Sequence, residues 1–471
     1  MASRRQIFQG LRFGGLLCAV LAFGSAPAER VSVDFGATVG PVKPVNGVGQ
    51  PPMVGKLRGW DMMHYLKEAN VPYSRLHDVG GWMGGGLFVD IPNLFPDFDA
   101  DEDDPKSYRF AYTDNIVDAL VKNGVEPFFR LGVSIENFVE WGLPPVRTVP
   151  PTDFAKWARV CEHVIRHYTE GWADGRTYKI AYWEIWNEPD CLPDAEQNPM
   201  WHAPFADYVR FYGVVAPYLK GKFPQLKIGG YGSCGFYAGT GAQHVAAANS
   251  SPRHAHFIAC ARTFLAAARD NRWPLDFFSY HSYSSSTQAL LQVAFADGLL
   301  NEFGFTRVRT ERVFDEWMPA EGLDKLGTAM HAAHIAAEVI GLQNGPCDLA
   351  CIYDARCADG RYAPLFDPVT HGPRKAYYAF KAFGELRRLG TSVRPPATPE
   401  NVFAAAATDG KGRAAVLIAN VSGKTWNPEF DFGRFSVVSA RVVDETRDYA
   451  EAAWPAAIGH ETVWLLSLKG E

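Results

Sequence analysis

The feature that most constrains this chain is a rhythm. Short apolar runs at residues 45–48, 73–76, 127–131, 182–186, 226–229, 277–280, 313–315 and 350–353 have strand length. Between and after them lie amphipathic stretches of helical length, at 61–69, 113–122, 153–168, 205–222, 254–271, 325–343 and 375–389. Alternation of this kind builds strand–helix units around a parallel sheet. Eight such units within residues 45–392 predict an α/β fold, a (β/α)8 TIM barrel with elaborated loops.

The flanks read differently. After Pro395-Pro396, residues 413–420, 435–443 and 462–468 are strand-like with no helix-length segment between them. They predict a smaller C-terminal β-sandwich domain over 393–471, an accessory that supports the barrel. Residues 29–44 hold the alternation Val31, Val33, Phe35, a strand expected to join that β domain. Residues 1–28 have a basic start, a short apolar run from Leu16 to Phe23 and the small-residue pattern Ala26-Pro27-Ala28. This is the form of a signal peptide cleaved after Ala28, and Arg4-Arg5-Gln6-Ile7-Phe8 also fits a twin-arginine pattern. The expected location is periplasmic or secreted. The apolar run is too short to span a bilayer, so no membrane association is expected once it is removed.

The net charge is −6, and loss of the leader's arginines makes the chain more acidic, which excludes nucleic acid as a partner. Seven cysteines would remain, and in an oxidising compartment one or two disulfides among them are expected, with at least one thiol left over. Cys347, Cys351 and Cys357 lack the spacing and the nearby histidines of a zinc site. The acidic run from Asp97 to Asp104 resembles a calcium loop but has Glu102 where glycine is required and Tyr108 where the closing glutamate belongs, so it reads as a solvated loop. No metal site is expected. Aromatic residues make up 13% of the chain, including 13 Trp and 19 Tyr, and their flat apolar faces suit sugar rings.

In a TIM barrel the chemistry sits at the C-terminal ends of the strands. The stretch Tyr182-Trp-Glu-Ile-Trp-Asn-Glu-Pro-Asp190 is thereby resolved: Asn187 and Glu188 fall at the mouth of the fourth strand, and Glu184 lies inside it as a structural acid. Pro189 then ends the ladder. Across the ring the seventh unit, Val313-Phe-Asp-Glu-Trp-Met-Pro319, places Glu316 at a strand end with Trp317 beside it. Alternation in a regular strand points Asp315 the other way, while Glu311 and Glu321 lie outside the strand end. Two carboxylates facing each other across a barrel mouth are what glycosidic bond cleavage requires, about 5–5.5 Å apart for retention and wider for inversion.

With these residues in view, the chain resembles glycoside hydrolase family 39, in clan A, a family of β-xylosidases, α-L-iduronidases and arabinose-releasing enzymes. The resemblance rests on "WEIWNEPD", "SRLHD", "DFFSYHSY", "FDEW", the leader and the terminal β domain. It implies that Glu188 is the acid/base and Glu316 the nucleophile. It implies further that Asn187 contacts the sugar 2-hydroxyl, that Arg75 and Tyr283 hold the nucleophile, and that His77 and His281 line the sugar site. Trp317 is expected there too. The chain departs from the xylosidase-like pattern at Arg130, where an acid is usual, and at Asp354 and Arg356, where a tryptophan platform is usual. These groups are either specificity residues or an ion-pair network. The glycine-rich loop after His77 lacks a phosphate-binding signature.

The expectation is an exported retaining hydrolase acting on an oligosaccharide or polysaccharide, a β-xylosidase or α-L-arabinosidase. It would use no metal or organic cofactor, with Glu188 kept protonated by Tyr182, Trp183 and Trp186. Alternatives are a uronic-acid-directed, iduronidase-like enzyme, in which Arg130 or Arg356 meets a sugar carboxylate, an inverting enzyme or transglycosylase at the same site, and a non-catalytic carbohydrate-binding barrel.

Overall fold

The computed structural model describes residues 29–52, 61–79, 88–135, 147–241, 251–454 and 457–471. The leader read in residues 1–28, and most of the glycine-rich loop after His77, lie outside the described residues. Two short strands come first, β1 (Glu29–Ser32) and β2 (Thr38–Pro41). Eight parallel strands then close into a barrel: β3 (Gly47–Gly49), β4 (Tyr73–Leu76), β5 (Glu126–Leu131), β6 (Tyr182–Ile185), β7 (Lys227–Ser233), β8 (Phe277–Ser282), β9 (Glu311–Trp317) and β10 (Leu349–Ile352). Each pairs with the next, and β10 closes on β3.

Helices follow every strand: α1 (Met63–Glu68), α2 (Ile91–Leu94) with α3 (Ala111–Lys122), α4 (Phe154–Thr169), α5 (Phe205–Lys222), α6 (Tyr237–Thr240) with α7 (Ser251–Asp270), α8 (Ser286–Glu302), α9 (Ala329–Asn344) and α10 (Lys375–Leu389). Helix α4 shows why they form. Asp153 caps it by accepting the Lys156 N–H, and Trp157, Val160, Cys161, Val164 and Tyr168 recur at helical spacing as its buried face. Helix α8 carries no clear amphipathic stripe, because its apolar residues, such as Leu290, Leu291 and Phe295, also lie off the buried face.

Inside the barrel, side chains stack in layers. Phe128, Tyr182, Phe277, Val313 and Leu349 make an apolar floor. Arg75 and Glu184 sit above it on β4 and β6, two residues further along their strands than floor residues Tyr73 and Tyr182. The seventh strand breaks the alternation. Relative to β8, Ser279 pairs with Val313 and His281 with Glu316; relative to β10, Ala350 pairs with Phe314 and Ile352 with Trp317. Three residues of β9 thus span two on each neighbour, which is a β-bulge. The bulge turns both Asp315 and Glu316 toward the lumen, where each contacts Arg75. Asp315 therefore does not point away from Glu316, as a regular strand required. Trp317 is swung outward and fully buried, packed near Phe314 and against Phe380 of α10.

The C-terminal part is a seven-stranded sheet of β11 (Thr391–Val393), β12 (Val402–Thr408), β13 (Arg413–Asn420), β15 (Phe435–Val443), β16 (Asp448–Glu451), β17 (Thr462–Gly470) and β2, covered by a ribbon of β1 and β14 (Pro428–Asp431). Val31, Val416, Ile418, Trp464 and Leu466 fill the space between the two layers. The other face of β13, through Ala415, Leu417 and Ala419, joins the barrel's core. Burial on both faces explains the unbroken apolar run of β13. Cys161, Cys191, Cys234, Cys260, Cys347, Cys351 and Cys357 are all unpaired thiols, so the expected disulfides are absent among the described residues. Six of the seven are buried as small apolar groups, and burial pushes the Cys347 thiol up to about 12. Among the described residues no helix is long and apolar enough to cross a membrane.

Candidate active site

Arg75, 1% exposed, is the hub of the site. Its Nε lies 2.8 Å from Glu184 Oε2 and 2.9 Å from Asp315 Oδ2, its Nη1 donates to Glu316 Oε2 at 2.9 Å, and its Nη2 donates to Asn187 Oδ1 at 2.5 Å. A planar guanidinium can serve several acceptors in fixed directions, which an ammonium cannot. Gly232, at φ +64°, makes room for this cluster. A Cβ there would stand 3.1 Å from Asn187 Oδ1, 3.2 Å from His281 Nε2 and 3.3 Å from Arg75 Nη2.

One cation cannot neutralise three carboxylates. Burial, together with the nearby Asp315 charge and against Arg75, pushes Glu184 up to about 8, so it carries a proton at neutral pH. Ser279 Oγ donates to its Oε1 at 2.6 Å. Asp315 is equally buried, but Arg75 and His281 outweigh that burial and hold it below the usual carboxylate range.

Glu316 and Glu188 face one another across the mouth with His281 between them. One donor atom from each of the three lies within 4.8 Å of the other two. Tyr283 Oη donates to Glu316 Oε1 at 2.5 Å, while Arg75 holds the other oxygen. His281 Nδ1 is 2.8 Å from Glu188 Oε1 and 3.8 Å from Glu316 Oε2, and its Nε2 is 3.5 Å from Asp315 Oδ1. Burial lowers this imidazole, yet Glu316, Asp315 and Glu188 raise it well above its ordinary value. Burial raises Glu188, but the hydrogen bond and charge of His281 more than cancel it, and Glu188 ends lowered. Burial pushes Glu316 up, with Glu188 adding to it against His281, Arg75 and Tyr283. The mobile proton of the resting site is therefore held on the Glu188–His281 pair.

This corrects the expected role of the aromatics. Tyr182 belongs to the barrel floor, Trp183 stacks on Phe129, and Trp186 packs against Trp157 and Trp201; none lines the pocket. The pocket, about 520 Å³, is lined by His77, Asp78, Asn187, Glu188, Tyr283 and Glu316, with Tyr353, Arg356 and Tyr362 among its other walls. Arg75 and His281 lie beneath it, and Trp317 is outside it.

Sequence reasoning missed Asp315, for want of the bulge, and Tyr353 and Tyr362. With Tyr283 these two form a set of mutually edge-on rings, ring centres 5.3–6.3 Å apart, beside Glu316. Tyr353 ends an apolar run and was findable; Tyr362 carries no local signal. Cys191 and Cys234 also approach Glu188 closely enough to share a soft cation with it. Arg130 and the pair Asp354–Arg356 form ion pairs. Arg130 Nη2 donates to Asp90 at 2.6 Å, and Arg356 Nε lies 2.9 Å from Asp354 Oδ2. The acids of 97–104 form local turns, with Glu102 bound to Arg159 at 2.6 Å, and no metal-spaced group of ligands occurs there among the described residues.

The model for "Glycosyl hydrolases family 39" matches residues 67–315, just over half of the chain. A β-xylosidase from Geobacillus stearothermophilus is 26% identical over 211 residues, 43% of this chain and 36% of that protein, so the match spans about a third of the relative's length. A glucosidase structure from Croceicoccus marinus shares the fold, with TM-score 0.74 and 20% identity over 94% of this chain and 99% of that one. A GH39 enzyme structure from Xanthomonas axonopodis pv. citri does so at TM-score 0.63 and 16% identity, over 96% and 99%. The matched segment runs from α1 to Asp315 and includes Arg75, Glu188 and His281, and on this match the chain belongs to the glycosyl hydrolases of family 39.

Proposed function

We propose that this protein is an exported glycoside hydrolase that cleaves a β-linked terminal sugar, in the first place β-xylosides, by two displacements with retention. One observation carries this reading: Glu188 and Glu316 oppose each other across one pocket with oxygens within 4.8 Å. An oxygen-to-oxygen gap of that size favours the retaining separation of about 5–5.5 Å between carboxyl groups over the wider 6.5–9.5 Å of an inverting pair, which must admit a water. Glu316, held by Arg75 and Tyr283, attacks the anomeric carbon as the Glu188–His281 pair delivers its proton to the leaving oxygen. Glu188 then takes a proton from the water that opens the glycosyl–enzyme ester. Asn187 Oδ1 is occupied by Arg75, which leaves its amide NH2 as the group to donate to the sugar 2-hydroxyl.

The xyloside preference draws on the β-xylosidase relative. The uronate reading is weakened because Arg130 and Arg356 are each engaged with an internal acid. The export in this reading draws on the leader pattern at residues 1–28.

The test is a pair of azide rescues on an aryl β-xyloside. Glu316→Ala should lose hydrolysis and, with azide, yield the glycosyl azide of inverted configuration. Glu188→Ala with azide should yield the retained one. Near-wild-type hydrolysis by Glu316→Ala, or the same product configuration from both variants, would refute the assignment.

A further inference from the structure

The turn after β4 brings His77 and Asp78 into the pocket, and bond cleavage as derived above makes no use of Asp78. This carboxyl is 4% exposed, and its φ of +54° is a conformation that few residues other than Gly, Asn and Asp adopt. Its Oδ2 accepts a hydrogen bond from Tyr353 Oη at 2.8 Å, and Gln50 Nε2 in turn donates to that hydroxyl at 3.3 Å. Its Oδ1 has no hydrogen-bond partner among the described residues; His77 Nε2 stands 3.3 Å away without the alignment of a bond, and His77 Nδ1 is also unpartnered. A buried carboxyl oxygen without a donor is costly, and such an atom in a binding pocket points to a donor on the ligand.

The place of Asp78 indicates which donor. In the barrel order β4 and β10 flank β3, whereas Asn187, Glu188, Tyr283 and Glu316 come from β6, β8 and β9. Those residues account for the anomeric carbon, the leaving oxygen and the 2-hydroxyl. Asp78 and Tyr353 line the same pocket on its β3 side, which is the wall left for the remaining hydroxyls of a sugar whose anomeric carbon lies between Glu188 and Glu316. Resting on the hydrolase reading above, we propose that Asp78, oriented by Tyr353, is a specificity-determining residue that accepts a hydrogen bond from a glycone hydroxyl remote from the anomeric carbon. The pocket thereby selects terminal sugars whose hydroxyl there is free. Burial, with Glu316 adding its charge and the Tyr353 bond opposing, pushes Asp78 up to about 7, and a sugar hydroxyl would supply the second donor.

The experiment compares wild type, Asp78→Asn and Tyr353→Phe on an aryl β-xyloside and on its 3-deoxy and 4-deoxy counterparts. Asparagine keeps the shape and tolerates the positive φ, and Tyr353→Phe leaves Asp78 in place. Expected is a fall in kcat/KM of about 10- to 100-fold for Asp78→Asn on the parent. On one of the two deoxy glycosides the fall should be less than about threefold, with Tyr353→Phe smaller in the same sense. An equal fall on all three substrates overturns the proposal and leaves the hydrolase reading intact. Absence of hydrolysis by the wild-type protein overturns both.

Discussion

Replacing Glu184 with glutamine tests the electrostatics under the active site. Glu184 sits at about 8 against an ordinary glutamate value of 4.5. As pH rises above 4.5 the unfolded chain releases this proton while the folded protein keeps it, so stability present at low pH is lost progressively until pH passes 8. At about 1.4 kcal/mol per pH unit, this one group removes about 3–5 kcal/mol of stability between pH 4.5 and 8.5. Glutamine is neutral at every pH, accepts from Arg75 or Ser279 and donates toward Asp315, so the variant should not show that loss. A chain of this size unfolds with an entropy of about 1 kcal/mol/K, which converts the difference to about 3–5 °C in Tm. Thermal melts at pH 5 and pH 8.5 measure it. Wild type should fall more than Glu184→Gln by that amount, and kcat at pH 6 should stay within about tenfold, because Arg75 keeps Asp315 and Glu316. An equal fall in both proteins would refute the claim that Glu184 is the neutral member of the cluster.

On the proposed mechanism Glu316 attacks as the ionised carboxylate, and burial with the Glu188 charge raises it. The acid limb of kcat/KM on a dinitrophenyl glycoside, which needs no proton donor in the first step, should lie above pH 4.5 and move lower in Glu188→Gln; a move to higher pH counts against the coupling. Arg130→Met leaves the buried Asp90 with Arg147 and Ser134 as partners and should cost about 1–3 kcal/mol in denaturation with KM unchanged, whereas a large KM change would restore Arg130 as a substrate group. Trp317→Phe should lower stability by about 1–3 kcal/mol through lost packing against Phe380 and leave KM within about twofold, as kinetics on the aryl xyloside will show.

Much of the architecture is legible in the chain because it depends on local periodicity. Every barrel strand appears as an apolar run, and strand-end position alone separates Glu188 at the mouth from Glu184 within. Helix α8 was not read because its apolar residues do not fall on one stripe. The roles of Trp317 and Asp315 were misread for a different reason: a bulge is a relation between three strands, and no pattern within Val313–Trp317 announces it.

Thus the sequence by itself determined the order of the eight strands, the main helices that follow all but the sixth of them, the family and the two glutamates that face across the mouth, since these follow from alternation and from residue type at strand ends. The tertiary structure alone decided the charges. Which acid keeps a proton, why His281 rather than an aromatic wall governs Glu188, and why Asp78 offers an unfilled oxygen all depend on distances between residues up to 275 positions apart in the chain. Coulombic and desolvation energies are set by those distances and by burial, neither of which is written in local order.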